Sequence, residues 1–244
     1  MKKLDNIFNA QKIYFHKKII YSSVKDRINK IKSIRNWILK NEDLIYSTCV
    51  RDYKKPIAEF NSTELNTVLQ HIKFTLANIN KWTSNKSVWA PIQLIGTRSK
   101  ICYEPKGVCL IISPWNYPFN TSVNSIVPSL LSGNTVILKH SSQTPLCAEQ
   151  LFDAATKASL PKNIFQFLHL DHSSTSKLIS DNRINHVLFT GSVSGGREIK
   201  KSIGTRFIGA GLELGGKDPA YVRSDCNLEH AIENLVDGSY FNSG

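Results

Sequence analysis

Apolar residues at Val24, Ile28, Ile31, Ile34 and Ile38 recur every three to four positions with charged side chains between them, which predicts an amphipathic helix. A second stripe through Leu65, Leu69, Ile72, Leu76 and Ile79 predicts another, with Asn61 and Glu64 placed as its start signal. Neither helix can bury its stripe alone, so both need a surface to lie on. After them "SVWAPIQLIGTRSKICYEPKG" interrupts short β-prone pieces with Pro91, Gly96, Pro105 and Gly107, and reads as a hairpin or arm.

From residue 108 the pattern changes to short apolar runs separated by segments of helical length. The runs are "VCLII" (108–112), "TVILK" (135–139), "FQFLHL" (165–170), "HVLFT" (186–190) and "AYV" (220–222). One helical segment opens at Thr144 and Pro145, a cap and a first-turn proline. Such alternation predicts parallel strands joined by crossover helices, a Rossmann-like, doubly wound α/β sheet. The expected organisation is a helical part at 1–84, an arm at 85–107 and the sheet-bearing, dinucleotide-binding part at 108–244. Ligands of such sheets bind beyond the carboxyl ends of the strands, which directs attention to the loops after each run.

Composition narrows the class. The 244 residues are 41% hydrophobic and 20% charged, the balance of a globular domain. No apolar run approaches the roughly 20 residues of a membrane-spanning helix, and the N-terminus lacks the apolar core of a secretory signal. Five cysteines, Cys49, Cys102, Cys109, Cys147 and Cys226, are odd in number and form no C-x-x-C pair. They argue against a disulfide framework and against a metal site, and for a cytoplasmic chain of reduced thiols. The net charge of +12 raises a nucleic-acid partner. Yet residues 1–60 hold 14 basic and 6 acidic side chains, a net +8, which leaves +4 for the rest. Those lysines alternate with apolar residues at helical spacing, so they read as solvated helix faces, and no nucleic acid is expected.

The loops carry the chemistry. "SPWNYPF" fixes Trp115 and Asn116 between Pro114 and Pro118, and a rigid Asn amide at a strand end can donate to a developing oxyanion. A structural turn explains the same residues equally well. Lys139 leaves its strand into the crevice, where an ammonium can donate to ribose hydroxyls or phosphate. "FTGSVSGG" (189–196) places small residues before a helix, so that an anion can approach backbone N–H groups. In "LELGGKDP" (212–219), Glu213 sits among apolar and glycine neighbours. Desolvation there would raise its pKa toward the range of a general base.

Taken in order, these segments resemble the aldehyde dehydrogenase superfamily. "KHSSQTP" is similar to its K-P-S-E-x-T-P, "FTGSVSGG" to its F-T-G-S-x-x-x-G, "LELGGKDP" to its E-L-G-G-K-x-P, and "DYKKP" (52–56) to its D-x-G-K-P. The resemblance covers essentially the whole chain. It implies oxidation of a small-molecule aldehyde to a carboxylic acid with NAD or NADP, through a cysteine thiolate, a hydride acceptor and a glutamate base. It implies Asn116 for the oxyanion and Glu213 for the base. For the cofactor it implies Ser113 and Trp115 in the first loop, Lys139 and Ser142 at the adenosine ribose, Gly191, Ser192 and Gly196 at the pyrophosphate, and Leu214 and Gly215 near the nicotinamide. It also implies an oligomerisation arm at 85–107, with a second copy or a complementing C-terminal half as partner.

Two departures shape the expectation. "FNSG" (241–244) matches the first four residues of the family's F-N-x-G-Q-x-C, so the nucleophile would fall three residues after Gly244. The catalytic domain is therefore expected to be absent, and the chain alone inactive. The alternative is a non-catalytic dinucleotide-binding fragment or an unstable remnant. Ser142 replaces the motif's Glu, which removes a carboxylate that would repel a 2′-phosphate and makes NADP more acceptable. His140 replaces its Pro, a change to which the sequence alone attaches no consequence.

Overall fold

The computed structural model describes residues 2–243. Its first third is helical: α1 (Lys2–Tyr14), α2 (Val24–Lys40), α3 (Glu42–Tyr53), the single turn α4 (Ile57–Glu59) and α5 (Asn66–Thr83). α2 is the helix expected from the first stripe. It starts at Ser23, whose Oγ accepts the Asp26 N–H at 3.1 Å, and it buries Ile31, Ile34 and Ile38, each worth about 1.5–3 kcal/mol when removed from water. The expected start signal of the second stripe is corrected. The chain turns helical at Ile57, after Pro56, and runs through a π-helical turn at Phe60–Leu65 into α5. Glu64 caps nothing in its own helix because its side chain is fully buried against Lys55.

Two short exposed strands, β1 (Lys86–Val88) and β2 (Ser99–Ile101), pair antiparallel, with Lys86 opposite Ile101. They fall in the segment expected to form a hairpin.

The second part is a five-stranded parallel sheet. Its strands are β3 (Val108–Ile112), β4 (Thr135–Lys139), β5 (Phe165–Leu168), β6 (His186–Gly191) and β7 (Gly209–Leu214), in the order β5-β4-β3-β6-β7. The crossovers are α6 (Pro118–Leu131), α7 (Pro145–Lys157), α8 (His172–Ser180) and α9 (Val193–Ile203). α10 (Leu228–Tyr240) and a 3-10 turn at Phe241–Ser243 follow. The expected "FNSG" motif reaches Gly244, which lies outside the described residues.

Alternation along the strands divides the core. Ile111, Val136 and Leu138 join buried residues of α2, α3, α5, α6 and α7. Leu110, Ile112 and Ile137 join Phe8 of α1 and the inner faces of α8 and α9. A parallel sheet buried on both faces has to be apolar at every position, which is why β3 and β4 were legible as unbroken runs.

The fifth strand is a correction. "AYV" at 220–222 forms no strand, and the edge is instead β7, with Gly211 opposite Leu188 and Glu213 opposite Thr190. A β-carbon on Gly211 would lie 2.7 Å from Leu188 Cδ2, so the position favours glycine for close packing, and that composition conceals a strand.

Candidate functional site

The chain leaves β3 for β4 on one side and later returns to β6 on the other, so the loops after these strands diverge. A cleft of about 1280 Å³ opens there, at the carboxyl ends of β3, β4, β6 and β7, the switch point where doubly wound sheets bind ligands. Ser113 to Asn116, Lys139, the first turns of α8 and α9, and Glu213 to Lys217 line it.

The floor is anion-receptive. Ser192 is the N-cap of α9: its Oγ accepts the Gly195 N–H at 3.0 Å and its carbonyl accepts the Gly196 N–H at 3.0 Å. The N–H groups of Val193 and Ser194 have no protein partner among the described residues, and both residues line the cleft. Helix N-termini with spare N–H groups attract phosphate. Glycine is needed here for space, because β-carbons on Gly191 and Gly195 would each lie 2.7 Å from the Phe189 ring.

Two polar side chains of buried residues at the cleft lack a protein partner among the described residues. Ser113 is 3% exposed and its Oγ has no hydrogen-bond partner. Lys139, the last residue of β4, is 9% exposed, forms no ion pair among the described residues, and has its pKa lowered by burial. An ammonium partly desolvated without a protein acceptor is best accommodated when a ligand supplies acceptors. Hydroxyl-rich and anionic groups fit both. These residues therefore suit a phosphorylated, ribose-bearing cofactor.

Asn116 sits half-buried before α6, and its Oδ1 accepts the Tyr117 N–H at 3.1 Å. That bond spends the amide's acceptor on the backbone and leaves its NH₂ as a donor at the cleft wall. Trp115 lines the wall beside it.

Glu213, Leu214 and Gly215 lie together at the end of β7. Gly215 has φ +80° and its N–H donates to the Gly191 carbonyl at 3.0 Å, which ties β7 to β6 below the cleft. The burial expected around Glu213 is corrected: the residue is exposed, because β7 is the edge strand and no described element covers it. Gly196 does not line the cleft; it is buried beneath Leu214. Ser142 also stands outside the lining, exposed on the turn, and its neighbour Ser141 faces the cleft instead. Among the described residues, the carboxylates in the lining are Glu198 and Glu213.

Sequence reasoning missed three contributors. His172 and Ser173 open α8 along the cleft, with Asp171 as their cap but no motif to flag them. His140 is buried, with Nε2 3.0 Å from the Pro118 carbonyl and Nδ1 3.1 Å from Thr144 Oγ1. It thus joins the starts of α6 and α7, a role no spacing rule reveals. The "DYKKP" motif places Asp52 at the start of α7, where its carboxylate accepts the Leu146 and Cys147 N–H groups at 3.2 and 2.8 Å.

No cysteine lines the cleft among the described residues. Cys49, Cys109 and Cys147 are buried, and burial pushes the Cys109 thiol up to about 12. Cys102 lies beyond β2 on the arm and Cys226 before α10.

The family model for the aldehyde dehydrogenase family matches residues 3–244. A putative succinate-semialdehyde dehydrogenase [NADP(+)] 2 of Mycobacterium tuberculosis is 37% identical over 147 residues, covering 60% of this chain and 28% of that protein. Aldehyde dehydrogenase family 3 member A2 of Pongo abelii is 29% identical over 89% of this chain and 44% of its own. Among solved structures, substrate-bound AldH of Staphylococcus aureus superposes with a TM-score of 0.88 at 28% identity, over 99% of this chain and 52% of that one. A succinic semialdehyde dehydrogenase of Streptococcus pyogenes, complexed with NADP+, shares the fold at TM-score 0.87 and 20% identity. The chain thus spans from about a quarter to about half of the length of these relatives. With the sheet order, the lysine at the end of β4 and the capped glycine turn in place, the chain belongs to the aldehyde dehydrogenase family.

Proposed function

We propose that the cleft holds a nicotinamide dinucleotide, and that the chain is the cofactor-binding part of an NAD(P)-dependent oxidation of an aldehyde to a carboxylic acid. The observation that carries this reading is Lys139, a buried residue whose ammonium has no protein partner among the described residues, opening onto the same cleft as the free N–H groups of Val193 and Ser194. Lys139 donates to the adenosine ribose, and the start of α9 receives the pyrophosphate. Ser113 adds a hydroxyl beside Lys139, to whose carbonyl its N–H donates at 3.2 Å, and Leu214 and Gly215 border the nicotinamide end. When bound, the cofactor supplies a hydride acceptor. Asn116 presents its NH₂ toward oxygen charge developing on the aldehyde. Glu213, exposed at the strand end, is placed to take a proton from water.

Ser142 supports acceptance of NADP as well as NAD, because position 142 carries no carboxylate to repel a 2′-phosphate. Because no thiol faces the cleft among the described residues, the 244-residue chain binds cofactor without oxidising aldehyde by itself. The exposed Trp89, Ile92 and Ile95 of the arm and Leu228, Ile232 and Val236 of α10 support a further polypeptide as partner, either a second copy or a complementing half. No described helix is long and apolar enough to cross a membrane, and five free thiols support the cytoplasm as the compartment.

Calorimetric titration of the purified chain tests the reading. Saturable binding of NADP+ and NAD+, with NADP+ at least as tight, is expected, together with no aldehyde-dependent NADPH formation. Absence of binding by either dinucleotide refutes it.

A further inference from the structure

The motif "DYKKP" also supplies Lys55, which is fully buried although no part of it lines the cleft. Its Nζ lies 3.1 Å from Glu64 Oε1, 3.2 Å from Thr63 Oγ1 and 3.4 Å from the Asn116 carbonyl. These three acceptors match the three donors of an ammonium. The same nitrogen stands 4.4 Å from the centroid of the Tyr117 ring and 5.4 Å from that of Tyr53, so both rings present their π faces to the charge. Glu64 is fully buried too. Its Oε1 also accepts the Tyr53 hydroxyl at 2.8 Å, and its Oε2 accepts the Asn120 N–H at 2.7 Å. Asn120 is the third residue of α6, whose flanking Tyr117 provides no side-chain cap, so Glu64 caps that helix from a distant element. Asn120 Nδ2 donates in turn to the Thr63 carbonyl at 2.9 Å.

The pair therefore grips the loop carrying Asn116 from behind: Lys55 holds the carbonyl of Asn116 and the ring of Tyr117, and Glu64 holds the helix that follows. A buried ion pair contributes little net stability compared with apolar groups of the same size, since desolvation offsets most of the attraction. What it provides is geometry, because every donor and acceptor has one satisfied arrangement. The amide of Asn116 needs such geometry, as its Oδ1 is already committed to the Tyr117 N–H and its direction follows the backbone of these two residues.

We infer that Lys55, with Glu64, is a positioning residue that sets the direction in which the Asn116 amide faces the cleft. The inference rests on the cofactor and oxyanion reading for what that direction accomplishes, but the orientation itself is measurable without any ligand.

The test compares Lys55→Met with the double variant Lys55→Met/Glu64→Gln in the full chain. Lys55→Met alone strands a buried carboxylate and can fail to fold. The double variant removes both charges, and Gln keeps a carbonyl for the Asn120 N–H. The readouts are thermal melting, the ¹⁵N heteronuclear NOE of the Asn116 side-chain amide, assigned with Asn116→Asp, and affinities for NADP+ and 2′,5′-ADP. In the double variant, melting near wild type is expected with a lowered NOE at Asn116. Affinities for NADP+ and 2′,5′-ADP are expected to stay unchanged, because the Asn116 amide is assigned to the aldehyde oxygen and not to the cofactor. A double variant whose Asn116 NOE matches wild type overturns the proposal, because it would show the pair to be a structural tie alone. If wild type binds no NADP+, the functional reading fails while the NOE still decides the positioning role.

Discussion

Leu214 roofs Gly196: a β-carbon at Gly196 would lie 2.6 Å from Leu214 Cδ2. The helix start proposed to receive the anion and the strand end proposed to border the nicotinamide are therefore in direct contact. Leu214 is 40% exposed, so it can swing away, and the direction left open to it is the cleft. Gly196→Ala is expected to cost only about 1 kcal/mol of stability. Dinucleotide affinity should fall more steeply than that, read by calorimetry beside a thermal melt. Equal affinity for wild type and variant would remove Leu214 from the site.

Lys139→Met keeps the aliphatic stem in its buried slot and deletes the charge. A charged hydrogen bond to ribose or phosphate is worth about 1.5–3 kcal/mol, so affinity for both dinucleotides should weaken by roughly ten- to a hundredfold. The variant should also melt no lower than wild type, because burial lowers the pKa of Lys139 and its charge is a burden to the empty protein. A variant that loses stability but keeps its affinity would assign Lys139 to the core.

Asp52 accepts two N–H groups at the start of α7, where a carboxylate also meets the positive end of the helix dipole. Asp52→Ala is expected to cost about 1–2 kcal/mol, seen as a lower midpoint in urea denaturation with an unchanged slope. Asp52→Asn should recover part of it. The cap expected of Thr144 is corrected, because its hydroxyl is turned to His140 and makes no cap bond; no shift in the midpoint would show that the helix start needs no carboxylate.

Three histidines, His71, His140 and His186, have pKa values lowered by burial. The unfolded chain takes up protons at about pH 6.5 while the folded chain holds these rings neutral, so stability present above that pH is lost as the solution is acidified toward the folded values. The carboxylates Asp26, Asp171 and Asp181 have lowered pKa values and act at more acidic pH, which separates the two effects. Urea midpoints should therefore decline between about pH 6.5 and 5, with a smaller decline in His140→Gln. A flat profile in that window would contradict the neutral, hydrogen-bonded ring of His140.

The legible features were those with a local cause. β3 and β4 declared themselves as apolar runs, α2 as a stripe, and Lys139 by standing at the end of a buried strand. β7 stayed hidden because glycine packing against Leu188 replaces the usual β-branched side chains. Glu64 was misread as a cap signal since its true partners, Lys55 and Asn120, are fixed only by tertiary structure. Its exposure makes Glu213 the reverse case: the apolar neighbours in sequence do not enclose it at a sheet edge.

The most direct measurement is an NMR titration of ¹⁵N-labelled chain with NADP+. The amide resonances of Ser113, Val193 and Ser194 should move and saturate together, while those of α10 stay in place. Saturating shifts confined to α10 or the arm, or a spectrum indifferent to NADP+, would contradict a dinucleotide site at the switch point of the sheet.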